Sequence, residues 1–345
     1  MLNDECLERI LNGIPRLTLG VIGDLFLDRY LDIDASLTEP SLETGLDAYQ
    51  VVRVRSYPGA AGTVINNLAA LGVSRILAIS LIGDDGEGFE LRRVLANLTA
   101  VDGRRIFVDS GRRTPTYTKP MVHQVGLPPR ELSRLDIKNH CPISPAMKDR
   151  LLGALDEIWP QIDGLLVLDQ MDQHTGGVIT EKIATRLAEL GHSNSRKLIL
   201  VDSRERVAMF RFVSLKPNQA ECMQAVRGRF AGSESVEECV RSLARTTSRP
   251  VFCTCGAEGI LLADPNESEN GLTWVPAYPV AGPIDIVGAG DSTSAGIACA
   301  IAGGVGLKEA AAFGNLVASI TIQQLGSTGT ASPEQVWRRW LEVRY

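Results

Sequence analysis

Long apolar runs are missing from this 345-residue sequence. No stretch of about 18 consecutive apolar residues occurs, so neither a membrane-spanning helix nor a membrane partner is expected. The first residues, MLNDECLERILNG, are amphipathic and acidic and lack the basic and apolar regions of a secretory signal. Basic residues are in deficit, with 35 Lys and Arg against 41 Asp and Glu, so nucleic acid is not the expected partner. Together these absences predict a cytoplasmic protein.

Cysteine pairs with metal-site spacing are also scarce. The only close pair among seven scattered cysteines is Cys253 and Cys255, and a zinc site usually needs two such pairs. The dipeptide Gly-Lys never occurs, which excludes the P-loop kinases. The stretch Gly20-Val21-Ile22-Gly23 lacks the G-x-G-x-x-G spacing of a dinucleotide-binding dehydrogenase. We therefore expect reduced thiols and neither of these two nucleotide-binding classes.

What the sequence does contain is a regular alternation of short aliphatic runs with helical stretches. The runs often end in Gly, Asp or Pro, as buried strands do. Alternation of this kind predicts a mainly parallel sheet covered by helices on both faces. The predicted strands are 17–23, 75–83, 164–169, 197–202, 211–217 and 249–256, and the predicted helices are 63–72, 89–98, 145–159, 179–191, 235–246, 291–304 and 308–326.

Two segments, about 30–57 and 104–136, instead alternate polar and apolar residues with a period of two. This pattern is typical of half-exposed antiparallel strands. We expect the two segments to pair outside the main sheet as a small β-lid, inserted in a single domain that covers residues 1–345. The apolar face of such a lid can be buried against the lid of a second subunit, which predicts a homodimer.

The sharpest junction between a loop and a helix is 285–291, Asp-Ile-Val-Gly-Ala-Gly-Asp, which opens an alanine-rich helix. Gly288 and Gly290 have no Cβ atom to block a close approach to the backbone. Exposed amides and the helix dipole then favour an anion in the turn. Asp291 places a carboxylate beside that anion, where it can accept a proton from an alcohol that attacks a phosphate. The plain alternative is an ordinary acidic residue at a capped helix start.

This junction resembles the late signature of the PfkB-type, ribokinase-like carbohydrate kinases. Four further fragments follow the order of that family: Gly23-Asp24 with 58–62 (Pro-Gly-Ala-Ala-Gly), 81–88 (Leu-Ile-Gly-Asp-Asp-Gly-Glu-Gly), Lys216-Pro217-Asn218 with Glu221, and Thr254-Cys255-Gly256 with Gly259. The resemblance implies a three-layer α/β/α fold with a mainly parallel sheet and a small antiparallel β-lid. It also implies an enzyme that phosphorylates an alcohol group of a sugar at the expense of ATP.

The resemblance assigns roles on the ATP side. Asp291 is the implied catalytic base, and the amides of Gly288, Ala289 and Gly290 are the implied anion hole. Asn218 and Glu221 are the implied Mg²⁺ site, largely through water, which suits an ion that prefers oxygen ligands. A monovalent cation, K⁺, near Asp285 is left open. Thr254, Gly256, Gly259 and Asn315 are assigned to the nucleotide cleft, and the alternative for Asn315 is a buried amide satisfied by the backbone.

On the sugar side the sequence is most similar to heptose-7-phosphate kinase domains. Gly23-Asp24 with 27–30 (Leu-Asp-Arg-Tyr), and Thr116-x-Thr118-Lys119 followed by 133–136 (Ser-Arg-Leu-Asp), carry this similarity. Asp24 and Asp28 suit sugar hydroxyls, and Lys119 and Arg134 suit a phosphate already present on the substrate. Their plain alternative is charge on the lid surface. The implied sugar-side residues are Asp24, Asp28, Gly59, Thr63, Asn67, Lys119 and Arg134.

At several positions the sequence departs from the usual pattern of the family. These departures leave the residues for phosphoryl transfer in place, but they leave open which substrate accepts the phosphoryl group. Ala60 and Thr63 stand where the family usually has Gly and Asn, the lid reads Leu-Thr-Glu-Pro-Ser-Leu-Glu at 37–43 instead of the usual heptose-kinase stretch, and Ile286 replaces a usual Thr. The four histidines, His123, His140, His174 and His192, form no H-x-G-H motif, so nucleotidyltransferase activity is not expected in this chain. The alternatives left open are a nucleoside kinase of adenosine type and a non-catalytic sugar-binding sensor.

Overall fold

The computed structural model of the chain describes residues 2–171, 176–227, 235–267, 271–326 and 328–344. Its helices are α1 (Asp4–Gly13), α2 (Ala61–Ala70), α3 (Gly86–Ala96), α4 (Pro145–Ile158), α5 (Glu181–Ser193), α6 (Gln219–Val226), α7 (Val236–Thr247), α8 (Ala289–Ala302), α9 (Leu307–Thr321) and α10 (Pro333–Val343). Its strands are β1 (Thr18–Gly23), β2 (Leu25–Asp34), β3 (Glu39–Pro40), β4 (Asp47–Ala48), β5 (Val51–Ala60), β6 (Arg75–Gly83), β7 (Val101–Asp109), β8 (Thr116–His123), β9 (Arg130–Glu131), β10 (Leu135–Ile137), β11 (Gly164–Asp169), β12 (Leu198–Ser203), β13 (Ser214–Leu215), β14 (Val251–Thr254), β15 (Ile260–Ala263) and β16 (Leu272–Val275).

A nine-stranded sheet forms the centre, in the order β16-β15-β14-β13-β12-β11-β1-β6-β7. The strands from β14 to β7 are parallel to their neighbours, and β15 and β16 are antiparallel additions at one edge. Apolar side chains of a single strand alternate between two cores: Leu166 lies in one, and Leu165 and Val167 lie in the other. Burial on both faces explains the continuous aliphatic runs. The predicted α/β fold class is confirmed.

The structure also has a smaller five-stranded sheet. Its strands lie side by side in the order β10-β8-β2-β5, and β9 pairs with β8. Strand β2 pairs antiparallel with β5 but parallel with β8, so the small sheet is mixed rather than wholly antiparallel. Its first segment runs from Leu25 to Ala60, somewhat wider than the predicted 30–57.

The second predicted lid segment needs a correction at its start. Residues 104–109 lie in β7, which pairs with β6 at the edge of the central sheet, and the small sheet resumes only at Thr116. An edge strand is half-exposed, so it shows the same two-residue alternation as a lid strand. The pattern therefore predicted a strand correctly and assigned it to the wrong sheet.

Parallel strands bring polar residues to one edge of the central sheet. Asp24 follows β1, Asp169 ends β11, Asp202 lies next to the end of β12, and Lys216 follows β13. Ligand sites of open α/β sheets form at this edge. In the part of the chain that the structure describes, no helix has the length and apolar character needed to cross a bilayer.

Candidate active site

The turn before α8 is closed by Asp285. One of its carboxylate oxygens accepts a hydrogen bond from the backbone amide of Val287 at 3.1 Å, and the other accepts one from the amide of Gly326 at 3.1 Å. Gly288 then adopts φ +81°, a left-handed conformation that glycine accepts without strain, and α8 begins at the next residue. The turn therefore presents the first amides of α8 at the edge where the strands end.

The amides of this turn differ in one respect from the predicted anion hole of Gly288, Ala289 and Gly290. The Ala289 amide donates to the carbonyl of Ile286 at 3.1 Å. The first bond of the helix ladder runs from the Ser292 amide to the Gly288 carbonyl at 3.0 Å. Amides in the first turn of a helix have no intrahelical acceptor, so those of Gly290 and Asp291 are the ones available to an anion. The Ala289 amide therefore already has a backbone acceptor, and the anion hole of Gly288, Ala289 and Gly290 stays a prediction.

Asp291 lies in the first turn of α8 and is only partly exposed. Loss of water raises the pKa of its carboxyl to about 7, and the nearby charge of Asp202 acts in the same direction. The charges of Lys216 and Arg204 oppose the shift, and the charge of Asp28 adds to it. A carboxyl with this pKa is poised to take up and release a proton near neutral pH.

A buried ion pair lies directly behind this turn. The ammonium of Lys216 is 2.9 Å from Oδ2 of Asp202, and the hydroxyl of Ser294, on α8, donates to the same oxygen at 3.3 Å. A Cβ atom built on Gly290 would lie 3.5 Å from Nζ of Lys216. The ammonium therefore lies against the first turn of α8. Sequence reasoning did not include Asp202 or Lys216 among the site residues.

Asn218 and Glu221 form a reciprocal cap at the start of α6. The amide of Glu221 donates to Oδ1 of Asn218 at 2.9 Å, and the amide of Asn218 donates to Oε2 of Glu221 at 2.8 Å. Burial raises the pKa of the Glu221 carboxyl above its ordinary value. The cap engages Oε2 of Glu221, so Oε1 is the oxygen that would contact a water of hydrated Mg²⁺ in the predicted site.

Direct metal coordination by a cluster of side chains is not found here. Within the described ranges, no group of three or more His, Cys, Asp or Glu side chains is arranged to hold a metal ion. Mg²⁺ keeps several waters and uses one or two carboxylates beside phosphate oxygens. The oxygen donors of Asn218 and Glu221 fit an ion held through water, and not one enclosed by protein.

The predicted nucleotide-side residues lie in two neighbouring groups. The Thr254 amide donates to the carbonyl of Pro217 at 2.9 Å, next to Asn218. Gly259 has φ +105°, and a Cβ there would lie 2.2 Å from the carbonyl oxygen of Val275. Asn315 donates from Nδ2 to the carbonyls of Val275 and Pro276, each at 3.0 Å.

These contacts show how the nucleotide-side residues are held by the backbone around them. The side-chain nitrogen of Asn315 is satisfied by the backbone, which is the alternative reading of this buried amide. Gly256, with φ +57°, has open space where a Cβ would lie. The assignment of Thr254, Gly256, Gly259 and Asn315 to the nucleotide cleft stays a prediction.

Asp24 lies in a backbone network at the end of β1. Its carboxylate accepts hydrogen bonds from the backbone amides of Gln170 and Met171, each at 3.0 Å, and of Val178 at 2.7 Å. The residue is 4% exposed. Burial raises the pKa of Asp24 to about 6, the charge of Asp169 adds to the rise, and the three amide bonds reduce it. A sugar hydroxyl bound to Asp24 would have to share carboxylate oxygens that already accept hydrogen bonds from the loop after β11.

Asp28 lies in β2, in the middle of the small sheet, and is buried. The register places Tyr57 and Tyr117 beside it on the two adjacent strands. A Cβ on Gly59 would lie 2.8 Å from its carboxyl carbon, so only glycine leaves room for Asp28. Burial raises the pKa of Asp28, and the charge of Asp28 in turn raises the pKa of Asp291. The charge of Asp28, on the small sheet, therefore acts on the carboxyl at the start of α8.

Cations surround Asp28. The charges of Lys119, Arg134 and Arg204 all lower its pKa against the effect of burial. Lys119 donates to the Tyr30 hydroxyl at 3.0 Å, and the guanidinium carbon of Arg134 lies 4.1 Å from the Tyr117 ring centre. Arg134 also donates two hydrogen bonds to the carboxylate of Asp136, at 2.7 and 2.8 Å. Such a pair is what the alternative interpretation, a charge on the lid surface, predicts.

Thr63 and Asn67 are buried in α2. The Asn67 side chain donates to the Thr63 carbonyl at 3.0 Å, and among the described residues its Oδ1 has no hydrogen-bond partner. The Thr63 methyl would lie 3.4 Å from a Cβ on Gly288. Thr63 therefore lies against the turn, and the sugar-side roles of Thr63 and Asn67 stay predictions.

The structure thus gathers a set of charged residues that sequence reasoning left apart. Asp202, Arg204 and Lys216 join the predicted residues Asp28, Glu221 and Asp291, as their mutual effects on pKa require. For Asp202 and Lys216 the signal in the sequence was a charge at or next to the end of an apolar run, in KLILVD and RFVSLKP. Charges at strand ends are common, so the pattern without the fold does not separate these two residues from others.

A scan against protein families finds the pfkB family carbohydrate kinases over residues 171–335. The bifunctional protein HldE of Rhodospirillum rubrum is 29% identical over 339 residues, covering 95% of this chain and 63% of that protein. The HldE protein of Aliarcobacter butzleri is 27% identical over 317 residues, covering 91% of this chain and 62% of that protein. The chain therefore spans less than two thirds of the length of these curated relatives.

Solved structures show the same fold at low sequence identity. Phosphofructokinase-2 from Escherichia coli superposes with a TM-score of 0.70 at 18% identity, covering 95% of this chain and all of the other. Ribokinase from Thermotoga maritima superposes with a TM-score of 0.65 at 18% identity, covering 94% of this chain and 99% of the other. The fold is ribokinase-like, and residues 171–335, a little under half of the chain, match the pfkB family carbohydrate kinases.

Proposed function

We propose that the chain transfers the γ-phosphoryl group of ATP to a hydroxyl of a sugar or sugar phosphate, with Asp291 as the base. The observation that carries this proposal is the position of Asp291 in the first turn of α8, with a pKa of about 7. A proton acceptor there lies beside the amides that attract the phosphoryl group. A binding module needs no such proton acceptor.

The reaction then uses the chain's own groups in a definite order. The acceptor hydroxyl lies between Asp28 and Asp291 and gives its proton to the Asp291 carboxylate as its oxygen attacks the γ-phosphorus. The new O–P bond forms while the bond from the γ-phosphorus to the β,γ-bridging oxygen breaks, which leaves ADP with that oxygen. The amides of Gly290 and Asp291 attract the negative charge of the phosphoryl group during the transfer.

Magnesium belongs to this proposal through Asn218 and Glu221. The ion supplies positive charge beside the phosphate oxygens of ATP, and the two residues hold it through its waters. K⁺ near Asp285 is a second candidate ion, and the Asp285 carboxylate would hold it beside the amides of Val287 and Gly326 that it already accepts.

The acceptor we favour carries a phosphate of its own, and heptose 7-phosphate is the first candidate. The family resemblance around Asp28 and Arg134 leads to this candidate, and the similarity to HldE proteins agrees with it. Lys119, Arg134 and Arg204 provide the cations that such a substrate requires. Since the chain spans about three fifths of the HldE proteins, the proposal concerns phosphoryl transfer alone.

We also propose that the small sheet mediates a homodimer. Val52 and Val54 on its edge strand β5 are 58% and 53% exposed, and Leu135 on β10 is 63% exposed. Exposed apolar side chains on a sheet edge favour contact with another chain.

The test of the catalytic proposal is an ATP-consumption screen with ribose, fructose, fructose phosphates, heptose 7-phosphate and adenosine, run beside the Asp291→Asn variant. Turnover of a sugar or sugar phosphate that the variant loses supports the proposal. Turnover of adenosine alone assigns the chain to the nucleoside kinases. Sugar binding without ATP consumption assigns it to the sensors.

A further inference from the structure

A cleft between the edge strand β7 and helix α4 plays no part in the proposed reaction. Its volume is about 380 Å³, within the range of small-molecule sites, about 300–1,000 Å³. Its lining residues are Arg104, Arg105 and Phe107 of β7, and Arg150, Ala154 and Glu157 of α4. None of these residues belongs to the candidate active site.

The local structure of β7 and α4 explains why the cleft forms. Between Asp102 and Arg105, β7 has one residue more than the paired stretch of β6, and such a β-bulge changes the direction of neighbouring side chains. Arg105 and Phe107 are two residues apart, so they lie on the same face of β7. The lining residues of α4 recur every three or four positions and so form one stripe of the helix. The middle one is Ala154, and its short side chain leaves space between strand and helix.

Positive charge exceeds negative charge around the cleft. The carboxylate of Asp102 lies within 3.7 Å of three guanidinium groups, those of Arg75, Arg104 and Arg105. Glu157 is the second carboxylate, and it accepts hydrogen bonds from the last of these. With Arg150 the cluster contains four cations against two anions, an excess of two positive charges in a chain that is acidic as a whole. The cleft therefore attracts anions.

Two of the guanidinium groups have nitrogens that lack an acceptor. Glu157 accepts from Nε and Nη2 of Arg105, while Nη1 is buried and has no hydrogen-bond partner among the described residues. Asp102 is 3.7 Å from that nitrogen, too far for a hydrogen bond. The guanidinium carbon of Arg150 lies 4.3 Å from the centre of the Phe107 ring, and no carboxylate of the described ranges pairs with it. Buried donors are normally paired, and a guanidinium stacked on a ring keeps its N–H edge free for an anion.

The position of the cleft in the fold connects it with the small sheet. Strand β7 ends at Asp109 and α4 begins at Pro145, and the small-sheet strands β8, β9 and β10 lie between them in the chain. Lys119 and Arg134, the cations proposed to recognise an acceptor phosphate, belong to this segment. A ligand that bridges β7 and α4 would therefore hold both ends of the segment.

We propose that the cleft binds a small anion that carries a phosphate group and at least two negative charges, and that its occupancy restrains the segment between β7 and α4. Phosphate oxygens match the N–H groups of guanidinium in number and geometry. Two negative charges balance the excess of positive charge in the cluster. Because the cleft contains none of the proposed reacting groups, its ligand is an effector and not a reactant.

The test is a calorimetric titration with pyrophosphate, without magnesium and at constant ionic strength. Arg150→Met should raise the Kd of this site about tenfold or more, the loss expected when one charge-assisted hydrogen bond is removed. Glu157→Gln removes the negative charge of the cleft and should lower the Kd severalfold. Arg338→Met and Glu334→Gln, in an exposed ion pair of α10, make the same changes of charge and should leave the Kd unchanged.

A second titration separates two kinds of ligand. The binding that Arg150→Met removes is compared for inorganic phosphate and for AMP. Equal Kd values mean that the cleft recognises the phosphate group alone, and a lower Kd for AMP means that it recognises an organic phosphate. Absence of any binding that depends on Arg150 overturns the proposal.

The remaining outcomes are equally definite. Equal shifts of the Kd in Arg150→Met and Arg338→Met would show general attraction of anions and overturn the proposal, as would a higher Kd in Glu157→Gln. Hydrogen exchange of β8 and β10 should slow when pyrophosphate is added to the parent chain, and not in Arg150→Met. Equal exchange in the two proteins overturns the link to the small sheet. None of these measurements uses the reaction, so they do not depend on the proposed function.

Discussion

The side chains of Asn218 and Glu221 each accept a hydrogen bond from the other residue's backbone amide, at 2.9 and 2.8 Å. The two residues implied in magnesium binding therefore also cap the start of α6. A structural and a functional role therefore coincide in one pair. Substitutions that keep the cap separate the two roles.

Glu221→Gln should leave stability nearly unchanged, because glutamine also fits the third position of a capping box. Its loss of charge should raise the Mg²⁺ concentration needed for half-maximal activity by about tenfold, if one charge-assisted contact to a water is lost. The measurement is a magnesium titration of the initial rate beside a thermal melt. Glu238→Gln, in the matching box with Ser235 on α7, is the control that should change neither. Equal magnesium curves for the two variants would remove Glu221 from the metal site.

Asp291→Asn should lower kcat by about two orders of magnitude or more and leave ATP affinity unchanged, because the amide cannot take a proton. In the parent chain, kcat/KM should rise about tenfold per pH unit below pH 7 and level off above it, since the ionised carboxylate is the active form. Initial rates across pH, with ATP binding measured by calorimetry, check both statements. Normal turnover by the variant would disprove the assignment.

Asp24→Ala should destabilise the protein by about 3 kcal/mol or more, because three buried amides lose their acceptor. Asp24→Asn keeps one oxygen and should have a smaller effect. Chemical unfolding at pH 7 measures both. Asp34→Ala is the control, because that carboxylate caps an exposed turn and its loss should cost about 1 kcal/mol. Equal losses for Asp24→Ala and Asp34→Ala would contradict the role of Asp24 as an anchor of the loop.

Lys119→Met combined with Arg134→Met should raise KM for a phosphorylated acceptor by about tenfold or more, since charge-assisted bonds to the phosphate are lost. The same protein should use the unphosphorylated sugar as the parent chain does. Steady-state kinetics with fructose and fructose 6-phosphate, or with the acceptor found in the screen, make the comparison. A parallel loss with both acceptors would mean that these cations support the sheet and do not recognise phosphate.

Val52→Asp combined with Val54→Asp should convert the predicted dimer into a monomer, because like charges would then face each other across the contact. Sedimentation at micromolar concentration is the measurement. Leu341→Asp, an exposed position on α10, is the control that should leave the dimer intact. A parent chain that sediments as a monomer would rule out the interface.

The strands of the central sheet were predictable because burial on both faces leaves a plain sign in the sequence. The runs 17–23 and 164–169 correspond to β1 (Thr18–Gly23) and β11 (Gly164–Asp169). The start of α8 was equally clear, since a left-handed Gly288 before an alanine-rich stretch suits few other conformations. Strand β7 was assigned to the wrong sheet, because a half-exposed edge strand has the same alternation in either place.

By itself the sequence determined the α/β class, the boundaries of β1, β6, β11 and β12 within one residue and the turn that begins α8, because burial and turn conformation each restrict the residue types at their own positions. Only the tertiary structure decided which charges meet there. Lys216 reaches Asp202 because β12 and β13 lie side by side, and Asp28 of the small sheet is near enough for its charge to raise the pKa of Asp291. Such contacts depend on distances between segments far apart in the chain, which local patterns of residues do not encode.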